Sequence, residues 1–195
     1  MREPAPSETG LGVRPMLERQ ARRLGERPFM VLPDGRLTYR DADELGNRTA
    51  AVLQEAGCRR GDIVMARCGN NMAMVAAWFG CMKLGAVFMP VNTLLTGEAL
   101  RTVVAHAGAA LLICDGDLYP EVAAIQDALP MLRTVLLSRS CDSKHVTGGV
   151  RQSGTVATFC LEDLIDRAPS HPPPPLHDEP GAAAKLMYTS GTTGT

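Results

Sequence analysis

The apolar positions change period along the chain, and each change marks an element. Between Arg14 and Leu24, Met16, Leu17, Ala21 and Leu24 recur at helical spacing, opposite Glu18, Arg19, Arg22 and Arg23. This predicts an amphipathic surface helix with its charged side in solvent. Phe29-Met30-Val31-Leu32 and Leu37-Thr38-Tyr39 predict two short strands, and Pro33-Asp34-Gly35-Arg36 has the chemistry of the turn between them. Residues 40–56 predict a helix whose stripe is Leu45, Thr49, Val52, Leu53 and Ala56, with Gly57 closing it.

From Asp62 the pattern alternates. Strands are predicted at Asp62–Ala66, Val87–Val91, Leu111–Cys114 and Thr134–Leu137, and helices at Asn71–Leu84, Gly97–Ala107 and Leu118–Leu129. Short continuous apolar strands separated by helices indicate an α/β fold, mainly a parallel sheet with helices on both faces. Residues 139–158, rich in Gly, Ser and Thr, read as an irregular surface loop. Leu161–Ile165 predicts a short helix, Pro172–Pro175 a polyproline spacer, and Ala182–Tyr188 a return to a buried strand.

Composition changes this picture little. With 195 residues, 45% of them hydrophobic, and a net charge of -1, the chain has the balance of an ordinary globular domain, so no nucleic-acid partner is expected. Only 4% of residues are aromatic, so a core of Val, Leu, Ile, Ala and Met is expected. The six cysteines form no C-x-x-C pair and fall in apolar runs, which reads as buried thiols in a reducing compartment. The four histidines lack zinc-ligand spacing. Lys83 near the centre of the most apolar window argues against an integral membrane segment. No apolar stretch follows the charged and Pro-containing residues 1–10, and cytoplasmic location is the expectation.

The candidate chemistry lies in the last residues. After Leu186-Met187-Tyr188 come Thr189, Ser190, Gly191, Thr192, Thr193, Gly194 and Thr195, which comprise two glycines and five hydroxyl side chains with no charge. Gly191 and Gly194 permit positive φ and close backbone approach, and the hydroxyl and N–H donors can converge on an anion, most naturally a phosphate. An ordinary Ser/Thr/Gly surface loop would have the same composition; the apolar strand before it argues for a site. No Lys follows either glycine as a Walker loop needs, and the G-x-G-x-x-G of a dinucleotide loop is absent here.

Tyr188-Thr189-Ser190-Gly191-Thr192-Thr193-Gly194 resembles the phosphate-binding core motif of the adenylate-forming superfamily, which includes acyl-CoA and aryl-CoA synthetases and peptide-synthetase adenylation domains. Leu37-Thr38-Tyr39 resembles that family's opening motif, and Lys83–Asn92 its second core motif. Pro90-Val91-Asn92 looks like the CoA-ligase version, where peptide-synthetase domains usually carry Asp and a further Pro.

The resemblance implies ATP-dependent activation of a carboxylic acid, a fatty or aryl acid, to an acyl-adenylate, then transfer to coenzyme A. ATP, Mg2+ and coenzyme A are the implied cofactors and co-substrates. Residues 189–195 would hold the ATP phosphates, with Thr192 or Thr193 the positions nearest Mg2+. The catalytic residues are expected beyond the chain. The expected layout is a disordered stretch over 1–12 and the incomplete N-terminal part of the large AMP-binding domain over 13–195. Within it lie a Pro-rich connector (169–181) and the phosphate loop (188–195), and the C-terminal domain is absent. Such a piece would be inactive alone. Two alternatives stay open: adenylation of an amino acid, and a non-catalytic phosphate-binding or interaction scaffold.

Overall fold

The computed structural model describes residues 12–139, 151–153, 156–174 and 183–188. In chain order the elements are α1 (Val13–Leu24), β1 (Pro28–Leu32), β2 (Gly35–Thr38), α2 (Tyr39–Glu55), β3 (Ile63–Arg67), α3 (Met72–Leu84) and β4 (Val87–Pro90). They continue with α4 (Gly97–Ala107), β5 (Leu111–Asp115), α5 (Tyr119–Ala123), β6 (Thr134–Ser138), β7 (Arg151–Ser153), β8 (Val156–Cys160) and α6 (Leu161–Arg167). The main sheet has the order β4-β3-β5-β6-β8-β7. Its first five strands are parallel and β7 is antiparallel to β8. β1 and β2 form a separate antiparallel hairpin.

Alternation along the strands feeds two cores, as a sheet covered on both faces requires. Val64, Ala66, Phe88, Ile113 and Leu136 face α2, α3 and α6. Met65, Met89, Leu112, Cys114 and Val135 face α4 and α5. The expected α/β architecture, mainly parallel and covered on both faces, is what the chain adopts.

Local chemistry explains the element ends. Thr38 and Asp41 close a reciprocal capping box at the start of α2, with Asp41 N donating to Thr38 Oγ1 (3.1 Å) and Thr38 N to Asp41 Oδ2 (2.8 Å). Leu37 is buried beneath it, and the Tyr39 ring lies 4.7 Å from Phe29. The Leu37-Thr38-Tyr39 motif therefore joins hairpin, cap and helix at one point. Asn71 caps α3 by accepting from Met74 N, and Gly85 ends that helix in the left-handed region.

α3 is apolar on nearly every side because most of it is covered, with Trp78, 36% exposed, on its open side. Ala73, Ala77 and Cys81 face the sheet, while Val75 and Phe79 face α1, α2 and the hairpin. At its end Lys83 is fully buried, and its Nζ donates to Asp43 Oδ1 at 2.6 Å and Glu18 Oε1 at 2.9 Å. Arg14 Nε donates to the same Glu18 oxygen at 2.9 Å. Burial acts to raise the Glu18 pKa, but the hydrogen bonds and charges of Lys83 and Arg14 outweigh it and hold the carboxyl below its usual value.

Four expectations are corrected. Glu18 does not face solvent with Arg19, Arg22 and Arg23; the charge of Lys83 draws it inward. The helix expected over Leu118–Leu129 is only the short α5 flanked by 3-10 turns, because Gln126 turns inward to the Tyr119 hydroxyl and Leu129 into the core. Within the expected loop over 139–158 lie β7 and the start of β8. There Val156, Thr158 and Cys160 alternate inward, and a β-branched Thr suits a strand as well as a loop. Finally, 183–188 is mostly exposed, with Met187 at 61%, because it lies at the outer edge of the sheet.

Among the described residues the α2–α3 contact is the tightest glycine-dependent approach. A Cβ on Gly80 would stand 2.6 Å from Thr49 Cγ2 and 2.8 Å from Thr49 Cβ. Gly80→Ala is expected to lower the unfolding free energy by about 1–3 kcal/mol in urea denaturation. Adding Thr49→Ala should then recover part of the loss, and strict additivity of the two substitutions would exclude the contact as the cause.

Candidate functional site at the edge of β4

Residues 183–188 meet the sheet through backbone bonds in the parallel sense. Phe88 N donates to Ala184 O (3.1 Å) and Leu186 N donates to Phe88 O (2.9 Å), with Lys185 opposite Phe88. Leu186 packs against the α4 side of the core. Tyr188 presents its hydroxyl to His106 Nδ1 on α4, the rings meeting edge-on at 5.7 Å. The stretch before the Gly/Ser/Thr-rich loop is thereby held on β4 and α4. The expected phosphate-binding residues Thr189, Ser190, Gly191, Thr192, Thr193, Gly194 and Thr195 lie outside the described residues.

Beside this segment a groove of about 430 Å³ opens between α3 and β4, lined among others by Asn71, Met74, Trp78, Phe88 and Lys185. The Lys185 ammonium lies 5.9 Å from the centre of the Phe88 ring. Aromatic and thioether walls with a few amides and one cation are what a ligand with an apolar body and an anionic end requires.

The carboxyl ends of β3 and β5 carry polar groups that the sequence reading did not single out. Arg67, 1% exposed, donates to Leu118 O (2.8 Å), Thr93 O (3.0 Å) and Leu95 O (2.7 Å). It ties the connections after β4 and β5 together. Asp115 accepts from Gly69 N at 2.8 Å and from Asn71 Nδ2 at 2.8 and 2.9 Å. From the turn of the hairpin, the Asp34 carboxylate accepts from Met72 N at the start of α3. The signal available was the strand that ends in Arg67 and the Asn71 cap; neither reveals its distant partners.

The described cysteines Cys58, Cys68, Cys81, Cys114 and Cys160 are buried free thiols, an environment that disfavours the thiolate. Burial is the main cause that raises Cys58 and Cys114 to about 12 and pushes Cys68 and Cys81 well above the usual thiol value; at Cys114 the Arg67 guanidinium pulls the other way. Among the described residues no group of three His, Cys, Asp or Glu could hold a metal ion. No helix among them is long and apolar enough to cross a membrane.

A mainly parallel sheet covered on both faces, with a segment paired to its β4 edge beside an open groove, defines an α/β domain. Residues 17–195 match the family model of the AMP-binding enzymes, and the chain belongs to that family. It is 30% identical over 179 residues to long-chain fatty acid transport protein 2 of Rattus norvegicus, covering 90% of this chain and 27% of that protein. It is 28% identical over 162 residues to crotonobetaine/carnitine--CoA ligase of Escherichia coli strain SE11, covering 81% of this chain and 29% of that one.

Among solved structures, the anthranilate CoA ligase AuaEII in complex with anthranoyl-AMP has a TM-score of 0.83 at 23% identity, covering 96% of this chain and 34% of that one. The N-terminal domain of FACL13 from Mycobacterium tuberculosis, solved with an inhibitor, has a TM-score of 0.73 at 26% identity, covering 94% and 42%. The resemblance carried by the three motifs is thus borne out. The chain spans 27–29% of these two curated relatives.

The hold of β4 on the approach segment is testable. Leu186→Pro removes the N–H that donates to Phe88 O, a bond worth about 1 kcal/mol net. Amide exchange at Phe88 is expected to speed up about tenfold while Ile113, in the middle of β5, stays protected. Unchanged exchange at Phe88 would show that the segment does not depend on this pairing.

Proposed function

We propose that the protein to which this chain belongs activates a carboxylic acid with ATP and transfers the acyl group to coenzyme A. The observation that carries the reading is the family match over 17–195, which runs through Tyr188–Gly194. A carboxylate oxygen attacks the α-phosphorus, the bond to the β-phosphate oxygen breaks, and pyrophosphate leaves. The coenzyme A sulfur then attacks the acyl carbonyl, AMP leaves with the bonding pair, and the thiol proton passes to solvent.

In this reading residues 189–195 hold the β- and γ-phosphates. Their backbone N–H and hydroxyl donors suit an anion whose charge grows as pyrophosphate departs, at about 1.5–3 kcal/mol per charge-assisted bond. Hydroxyls at Thr192 or Thr193 suit Mg2+, a hard cation that takes oxygen ligands. A fatty or aryl acid is the proposed substrate. It is supported by Pro90-Val91-Asn92, by the apolar groove along Met74, Trp78 and Phe88, and by relatives whose names specify fatty acid and CoA-ligase roles. A cytoplasmic site of action and dependence on parts beyond this chain belong to the same proposal.

The test is carboxylate-dependent exchange of labelled pyrophosphate into ATP. Exchange is expected with a fatty or aryl acid, and Gly191→Ala or Gly194→Ala should lower it more than it lowers stability, since a Cβ at positive φ costs about 1–2 kcal/mol and pushes the backbone off the phosphate. Exchange with amino acids alone would overturn the substrate class, and full exchange in both glycine variants would overturn the phosphate cradle.

A further inference from the structure

α1 carries one carboxylate, Glu18, and it is turned inward to the Lys83 ammonium. Facing outward, Glu18 would stand four residues before Arg22, at the spacing of a helix ion pair. Its withdrawal leaves Arg19, Arg22 and Arg23 exposed on a side of α1 that holds no acid. The neighbouring chain repeats the imbalance. From Gly12 to Arg40 there are seven arginines and three carboxylates, in a chain whose net charge is -1.

Each of those carboxylates is engaged: Glu18 by Lys83 and Arg14, Glu26 by Arg40 at 3.1 Å, and Asp34 by Met72 N at the start of α3. Arg14 is likewise turned inward, donating to Glu18, to Lys83 O and to the carbonyls of Pro173 and Pro174 in the proline connector. Among the described residues Arg19, Arg22, Arg23 and the exposed Arg27 form no ion pair.

Apolar surface lies open beside these charges. Met16, 48% exposed, shares its side of α1 with Arg19 and Arg23, which follow it by three and seven residues. Between α1, the hairpin and α3 runs a cleft of about 480 Å³, lined among others by Met16, Leu17, Gln20, Phe29, Trp78 and Phe79. Trp78 stacks on Phe79 at 5.0 Å and is a wall common to this cleft and to the groove along β4. An acidic peptide would answer the guanidinium groups and leave Met16 and Trp78 in water. A surface that is anionic outside and apolar just beneath answers both, and Trp is the side chain that such a boundary favours.

We propose that the outer side of α1, with Met16 and Trp78 beside it, is a docking face for an anionic lipid surface. Arg19, Arg22 and Arg23 meet the head groups, and Met16 and Trp78 meet the apolar boundary below them. The buried Lys83 ammonium makes this face possible, because it removes from it the one carboxylate that α1 carries. The docking face stands on charge and exposure and does not depend on the adenylation reading.

The test is sedimentation of the protein to which this chain belongs with vesicles of equal parts phosphatidylcholine and phosphatidylglycerol, and with vesicles of phosphatidylcholine alone. Binding is expected to the first and not to the second, and should weaken as salt is raised. One arginine near an anionic bilayer corresponds to about a fivefold change in affinity, so Arg23→Gln should weaken binding about fivefold, and Arg19→Gln, Arg22→Gln and Arg23→Gln together about a hundredfold. Met16→Glu, which keeps every arginine, should weaken it about tenfold by placing a charge at the apolar boundary. Arg101→Gln on α4, across the sheet, should leave it unchanged, and the urea midpoint should be the same in every variant.

Equal binding to both kinds of vesicle overturns the proposal, as does full binding by the triple variant or by Met16→Glu. Binding to polyglutamate with none to either vesicle overturns it too, and assigns the face to an acidic protein partner.

Discussion

An ammonium group at zero exposure is the constraint from which most of this architecture follows. Lys83 sits near the end of α3 with its side chain fully buried, where an unpaired charge would cost several kcal/mol. Two carboxylates answer it, Glu18 from α1 and Asp43 from α2, and Arg14 returns the cluster to neutrality with two positive and two negative groups. Hydrophobic burial brings α1 and α2 onto α3, but it is non-directional. The ion cluster selects the angular setting of α1, and that setting presents Arg14 to the proline connector.

The parallel sheet contributes the other half of the site. β4 is an outer strand of the ordered sheet, so its free backbone groups can accept 183–188, and the pairing through Phe88 sets the register. The apolar groove beside Phe88 and Trp78 is a product of the same edge, since a further layer packed there would fill it. Rigid strands and capped helices together give residues 183–188 a defined place on the edge of β4.

Where an element announces its own ends, the chain alone sufficed to place it. α4 was expected and found at Gly97–Ala107, followed by Gly108 in the left-handed region, and Asn71 marked the start of α3 by its capping chemistry. The loop reading of 139–158 failed at 151–153 and 156–158 because Thr suits strands as well as loops, and the pairing of β8 with β6 is a tertiary fact. Lys83 was legible as a reason against a membrane span, not as the centre of a charge cluster, because periodicity gives the phase of a helix and not its partners. The expectation of an anion-binding loop at 189–195 rests on local properties, backbone freedom and hydroxyl donors, and falls on residues outside the described ones. The groove, the Tyr188–His106 contact and the carbonyl grip on the connector join residues far apart in the chain, so no local pattern encodes them.

The central claim is that neutralisation of Lys83 orders α1 and α2 on α3, and urea denaturation tests it directly. Replacing both partners, Glu18→Gln with Asp43→Asn, leaves the ammonium buried without a counter-charge and should cost about 3–5 kcal/mol. Adding Lys83→Met to that pair removes the orphaned charge and should restore at least half of the loss. A cost below about 1 kcal/mol for the pair, or a further loss on adding Lys83→Met, would contradict the account.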